Sequence, residues 1–304
     1  MRVIGTLALV MLAVGASVAP RAQQPSIRVA TDIVPLSVTV TNAAHEYVAD
    51  LTRDDFVVLE DGKPQPLTYF GLNDVPLAVA LLIDSSASMY DTLGTAQEAA
   101  IGFIRQLGEK DVAAIIDFDS NVQVRQTFTG DRRLLEQAIL QTTAGGSTVL
   151  NTAVYIALRE LTRLRIGEES VSARRRAMVI LSDGDDTNSV VSFDDVLDLA
   201  ERSNVVIYAI GLRGEARFRP TRRGSVEGQF ALRQFTLQTG GRVMFPTSIR
   251  DVVDAYSDIR REMASQYILA YESPPGQARR WRNVVVRVTR PGIAARTRPG
   301  YFGR

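Results

Sequence analysis

The sequence predicts a doubly wound α/β fold, a mostly parallel sheet with helices on both faces, joined to a small β-sandwich. Three observations lead there. From Leu77 to Ile83 the chain is apolar without polar alternation, as in a strand buried on both faces of a parallel sheet. Such runs then alternate with segments of helical periodicity as far as Gln266, the pattern of an open sheet covered by helices on each side. At both ends the residues alternate as in half-buried strands, and neither end has enough apolar surface to stand alone. The two ends are therefore expected to pair into one sandwich beside the α/β core.

Taken in order, the chain opens with Met1 and Arg2, an apolar stretch from Val3 to Val18, and then Pro20, Arg21 and Ala22. That stretch is short for a membrane span and suits a signal peptide over residues 1–22, cleaved after Ala22 or Ala19. Export follows, to the periplasm or the medium. No second apolar run approaches membrane length, so no integral span is expected after cleavage.

Residues 27–75 read as the N-terminal β module, with strands at Leu36–Val40 and Phe56–Leu59 and a turn at Glu60–Lys63. Residues 76–266 form the α/β domain. Strands are expected at Leu77–Asp84, Val112–Phe118, Ala177–Ser182 and Val205–Ile210. Helices are expected at Thr92–Leu107, Arg132–Leu140, Thr152–Arg165, Phe193–Arg202, Phe230–Thr239 and Val252–Gln266, the fifth ended by Gly240 and Gly241. Residues 267–304 return to β structure, with strands at Tyr267–Tyr271 and Asn283–Thr289 and a tail at Ala294–Phe302.

Composition narrows the chemistry. Of 304 residues, 45% are hydrophobic and 23% charged, which describes a chain able to bury a core rather than a disordered one. The 35 basic and 34 acidic side chains leave a net charge of +1, so no global field favours nucleic acid. The chain contains no cysteine, which removes disulfides, thiolate catalysis, zinc-thiolate sites and lipid attachment through an N-terminal Cys. Its single histidine, His45, rules out an imidazole-rich metal site and falls in a polar, exposed turn.

Three loops gather oxygen-bearing side chains. Asp84-Ser85-Ser86-Ala87-Ser88 follows the first buried strand; Gly145-Gly146-Ser147-Thr148 precedes a helix; Ser182-Asp183-Gly184-Asp185-Asp186 follows another strand. Ligands of open α/β sheets bind at the carboxyl ends of strands. Each loop also has a plainer reading, since Asp, Ser and Thr cap helices and glycines make turns. A phosphate cradle at Gly145 and Gly146 lacks the lysine of a P-loop. Asp185 and Asp186 read as solvated loop acids, and Asp117 and Asp119 as rim or turn residues. The arginine-rich stretch Arg213, Arg217, Arg219, Arg222, Arg223 reads as a surface loop or a contact for an acidic partner. Arg279, Arg280, Trp281 and Arg282 carry no nucleic-acid motif.

Together the three loops resemble the metal-ion-dependent adhesion site of von Willebrand factor A domains, over about Leu77 to Leu212. The terminal strands and Ser265-Gln266-Tyr267 are similar to an exported bacterial subfamily with flanking strands. The resemblance implies a Rossmann-like fold in which Asp84, Ser86, Ser88, Thr148 and Asp183 hold one divalent cation, directly or through water. Hydroxyl and carboxylate oxygens select Mg²⁺, Mn²⁺ or Ca²⁺, with Mg²⁺ the best fit because it keeps open positions in its shell. The expected function is a non-enzymatic, metal-dependent protein-binding or adhesion module whose partner offers a Glu or Asp side chain. Two alternatives are a metal-assisted hydrolase using Asp185 or Asp186 as base, and a metal-free envelope scaffold acting by strand pairing.

Overall fold

The computed structural model describes residues 32–72, 75–164, 174–212, 224–274 and 280–303. The signal-peptide segment 1–22, the stretch from Arg213 to Arg223 and Arg279 lie outside the described residues. In chain order the elements are β1 Asp32–Asn42, β2 Phe56–Glu60, β3 Lys63–Gln65, β4 Leu67–Leu72, β5 Leu77–Asp84, α1 Leu93–Arg105, β6 Val112–Phe118, β7 Val122–Thr129, α2 Arg132–Leu140 and α3 Leu150–Arg163. They continue with β8 Arg175–Ser182, α4 Phe193–Ser203, β9 Val206–Gly211, α5 Gly224–Thr239, β10 Val243–Met244, α6 Ile249–Ala264, β11 Tyr267–Ser273, β12 Trp281–Val288, β13 Ile293–Arg296 and β14 Gly300–Phe302.

All eight residues of β5 are buried, because the strand lies in the middle of a six-stranded sheet ordered β10-β9-β8-β5-β6-β7. Its side chains alternate between two cores. Leu77, Val79, Leu81 and Ile83 face the cluster built with α1, α2 and α6. Ala78, Ala80 and Leu82 face the one built with α3, α4 and α5. The sheet is parallel except for β7, which pairs antiparallel with β6. Strand β7 escaped sequence reading because none of its residues is fully buried. An exposed edge strand lacks the apolar alternation that marks a strand in sequence.

Strand order reverses around β5, with β6 on one side and β8 on the other. The carboxyl end of β5 is therefore a topological switch point, where the outgoing loops diverge and leave a crevice.

Strands from both ends of the chain form two antiparallel sheets, ordered β13-β1-β11-β4 and β14-β12-β2-β3. Between them lies a third core of Val34, Leu36, Val38, Val40, Phe56, Val58, Leu269 and Val286, with the rings of Tyr267 and Tyr271. Residue 267 thus follows α6 directly into the sandwich, pairing with Val38. Buried Glu262, in the last turn of α6, accepts hydrogen bonds from Thr39 (3.1 Å) and Tyr208 (2.9 Å). It also pairs with Arg242 at 3.0 Å and with Arg296. A charge this deep persists only when paired and hydrogen-bonded, and here its partners come from the α/β core and the sandwich alike. Among the described residues, no helix is long and apolar enough to cross a membrane.

Candidate metal centre

The first loop leaves β5 at Asp84, which is fully buried. The Ser86 amide donates to Asp84 Oδ1 at 2.9 Å, a local turn that bends the chain back so that Ser86 Oγ lies 3.0 Å from Ser88 Oγ. Asp, Ser and Ser could have been helix caps, yet the following short 3₁₀ turn and helix α1 have no side-chain cap. Capping therefore does not explain the motif. In the second loop Thr148 is buried and precedes α3, whose own N-cap residue, Val149, offers no side-chain cap.

Hydrogen bonds tie the three loops pairwise. Gly145 N donates to Ser85 O at 2.8 Å and Ala87 N to Gly146 O at 3.1 Å, joining the first loop to the second. Thr148 N donates to Thr187 Oγ1 at 3.0 Å, and Thr187 N returns a bond to Thr148 O at 3.0 Å, joining the second to the third. Ser182 Oγ donates to Asp84 Oδ2 at 2.5 Å and accepts from Gly184 N at 2.9 Å, closing the ring. Glycine is required at position 184, where φ is +88° and a Cβ would meet the Gly228 carbonyl oxygen at 2.6 Å. The close approach seats the first turns of α5 against the third loop.

Electrostatically the ring is unfavourable by itself. Burial, followed by the charge of Asp183, pushes the Asp84 carboxyl up to about 7 against the pull of its hydrogen bonds from Ser182 and Ser86. Burial, then Asp183 and Glu227, also raise Asp185, whose Oδ1 is buried without a hydrogen-bond partner. Asp186 is no free acid, since it accepts from the amides of Asn151 (2.8 Å) and Ser189 (3.0 Å) and so caps the start of α3. Among the described residues no three His, Cys, Asp or Glu side chains converge as a metal cluster. A cation held at this ring would rest on two carboxylates, Asp84 and Asp183, and on the hydroxyls of Ser86, Ser88 and Thr148. That donor set is hard and suits Mg²⁺.

Asp117 corrects the sequence expectation. It is 4% exposed rather than on the rim, accepting from Arg125 Nε at 3.0 Å and Nη2 at 2.7 Å and from Ser85 Oγ. No sequence signal marked it, because Arg125 lies on the unrecognised edge strand. Asp119 does shape a turn, accepting from Asn121 N at 2.8 Å. His45 is exposed, in a turn at φ +62°.

The sheet order with its switch point at β5, and the loops that meet there, agree with a family model that matches residues 78–257, described as the von Willebrand factor type A domain. The chain belongs to the von Willebrand factor type A family. Such domains commonly mediate protein–protein interaction. An uncharacterised protein of Borreliella burgdorferi is 27% identical over 150 residues, 46% of this chain and 42% of that protein. The match thus spans less than half of the relative's length. Among solved structures, the PilB minor pilin of Streptococcus sanguinis is 12% identical, with a TM-score of 0.50 over 67% of this chain and 64% of that one. The pilus adhesin SpaC of Lactobacillus rhamnosus GG is 10% identical, with a TM-score of 0.50 over 88% of this chain and 47% of that one. At these identities the two structures share the fold with this chain.

Proposed function

We propose that this von Willebrand factor type A chain is an exported, metal-dependent protein-binding module. Asp84, Ser86, Ser88, Thr148 and Asp183 hold one Mg²⁺, with Mn²⁺ or Ca²⁺ able to replace it. A Glu or Asp side chain of a partner completes the shell. One observation carries the reading: a fully buried Asp84 is set against Asp183 in a hydrogen-bonded ring of loops, with neither Ser86 nor Ser88 used as a cap. Two carboxylates held together in a poorly solvated place repel, and a dication supplies the charge that reverses the sign. The two carboxylates cancel the dication's charge formally without filling its shell, and the open coordination position takes a hard oxygen donor, which a partner carboxylate provides.

Calorimetric titration with MgCl₂ and MnCl₂ tests the proposal, on the intact chain and on Asp84→Ala. Binding by the intact chain and its loss in the variant are expected. No binding by either leaves a metal-free scaffold. Capture of an envelope partner that disappears with chelator tests the second half.

One observation favours a second reading. The unpartnered, buried Oδ1 of Asp185 beside Asp183 would serve as the general base of a metal-assisted hydrolysis. Turnover of phosphate or peptide substrates that needs the cation, and that Asp185→Asn abolishes with the cation still bound, would establish it over the adhesive reading.

A further inference from the structure

The β6–β7 hairpin touches two of the three loops. Its first contact runs through Ser85, which sits between Asp84 and Ser86 and is 1% exposed. Every polar group of Ser85 is fastened: its amide donates to Phe118 O at 2.9 Å, its carbonyl accepts from Gly145 N at 2.8 Å, and its hydroxyl donates to Asp117. Asp117 is in turn held by the two-pronged bond from Arg125, which neutralises its charge. The second contact runs through Ser120, whose Oγ accepts from Ser147 N at 2.9 Å and lies 3.2 Å from Ser147 Oγ. Gly146, at φ +72°, brings its backbone so close that any Cβ there would strike Ser120 Oγ. Ser147 directly precedes Thr148.

Hence the hairpin fixes a residue directly adjoining three of the five oxygen donors, Asp84, Ser86 and Thr148, without offering a donor itself. Rigidity at that distance bears on which cation is chosen. Mg²⁺ demands near-ideal octahedral geometry at about 2.0–2.1 Å, whereas Ca²⁺ accepts a looser shell at about 2.3–2.6 Å. A frame that cannot relax penalises the larger ion. A frame that can relax gives that discrimination up.

We propose that Asp117, Arg125 and Ser120 are positioning residues of the metal centre, acting through Ser85 and Ser147 to favour Mg²⁺ over Ca²⁺. The inference rests on the metal-centre reading above. It differs from a purely structural role for these residues, which would alter fold stability and leave the ratio of the two affinities where it was.

The test titrates the full chain with MgCl₂ and, separately, with CaCl₂, for the parent, Ser85→Ala, Arg125→Lys and Ser120→Ala. Thermal unfolding of each is followed in EDTA. Losses of Mg²⁺ affinity of about 10- to 100-fold are expected, the range for residues that orient metal ligands, with a smaller fall for Ca²⁺, so that the ratio narrows. Ser120 is exposed, so Ser120→Ala should unfold in EDTA as the parent does and decides the matter if a buried variant fails to fold. Parallel losses for both ions, or an unchanged ratio in Ser120→Ala, overturn the brace alone. A parent that binds neither ion overturns the metal centre and the brace together.

Discussion

At the scale of single residues, the site depends on a few positions with no tolerance for substitution. Gly184 combines φ +88° with a Gly228 carbonyl oxygen 2.6 Å from where its Cβ would be. Gly184→Ala should therefore lower stability by about 1–3 kcal/mol, the usual cost of an enforced strained backbone, read as the urea midpoint in EDTA. A midpoint equal to the parent's would mean that the third loop can move away from α5. The aspartates show what sequence can and cannot reveal about residues. Asp84 was recognisable because its companions Ser86 and Ser88 are adjacent in the chain. Asp117 was not, since its partners Ser85 and Arg125 reach it only through the pairing of β5, β6 and β7.

At the scale of elements, periodicity located the helices well and their starts less well. Helix α6 begins at Ile249, three residues before the expected Val252, because Ser248 and Asp251 form a reciprocal cap: Ser248 N donates to Asp251 Oδ2 at 2.9 Å and Asp251 N to Ser248 Oγ at 3.3 Å. Hydrogen bonds from Thr247 and then Ser248 lower the Asp251 carboxyl below its ordinary value. A carboxylate lowered in the folded state stabilises it fully above the unfolded pKa of about 3.9 and loses that effect as pH falls through the lower, folded value. The stability gap between parent and Asp251→Asn should thus be constant near neutrality and shrink below about pH 4, as urea midpoints across that range would record. A gap independent of pH would deny the carboxylate its capping role. Strand β7 shows the opposite case, an element without a buried residue that exists because β6 offers it an edge.

At the scale of the whole molecule, Glu262 joins the α/β core to the terminal strands. It is 1% exposed and faces Arg242, Arg296, Thr39 and Tyr208. Removing Glu262 leaves the buried Tyr208 and Thr39 hydroxyls without their acceptor, while the two arginines, 32% and 34% exposed, regain water, a loss of about 1–3 kcal/mol. Glu262→Ala should show a loss of that size in urea unfolding followed by far-ultraviolet circular dichroism. A loss under about 1 kcal/mol would put the pair among solvent-screened surface contacts. The sequence by itself determined the alternation of strands and helices, the burial of β5 on both faces, and the three oxygen-rich loops, since each is written in residues that neighbour one another along the chain. Only the tertiary structure decided that β5 is the switch point, that Ser182 closes the ring on Asp84 across 98 residues, and that Asp117 accepts from Ser85 and Arg125. Those contacts join residues distant in sequence and ordinary in type, so nothing local announces them. The sheet order that brings them together is set by which apolar faces can be buried at once.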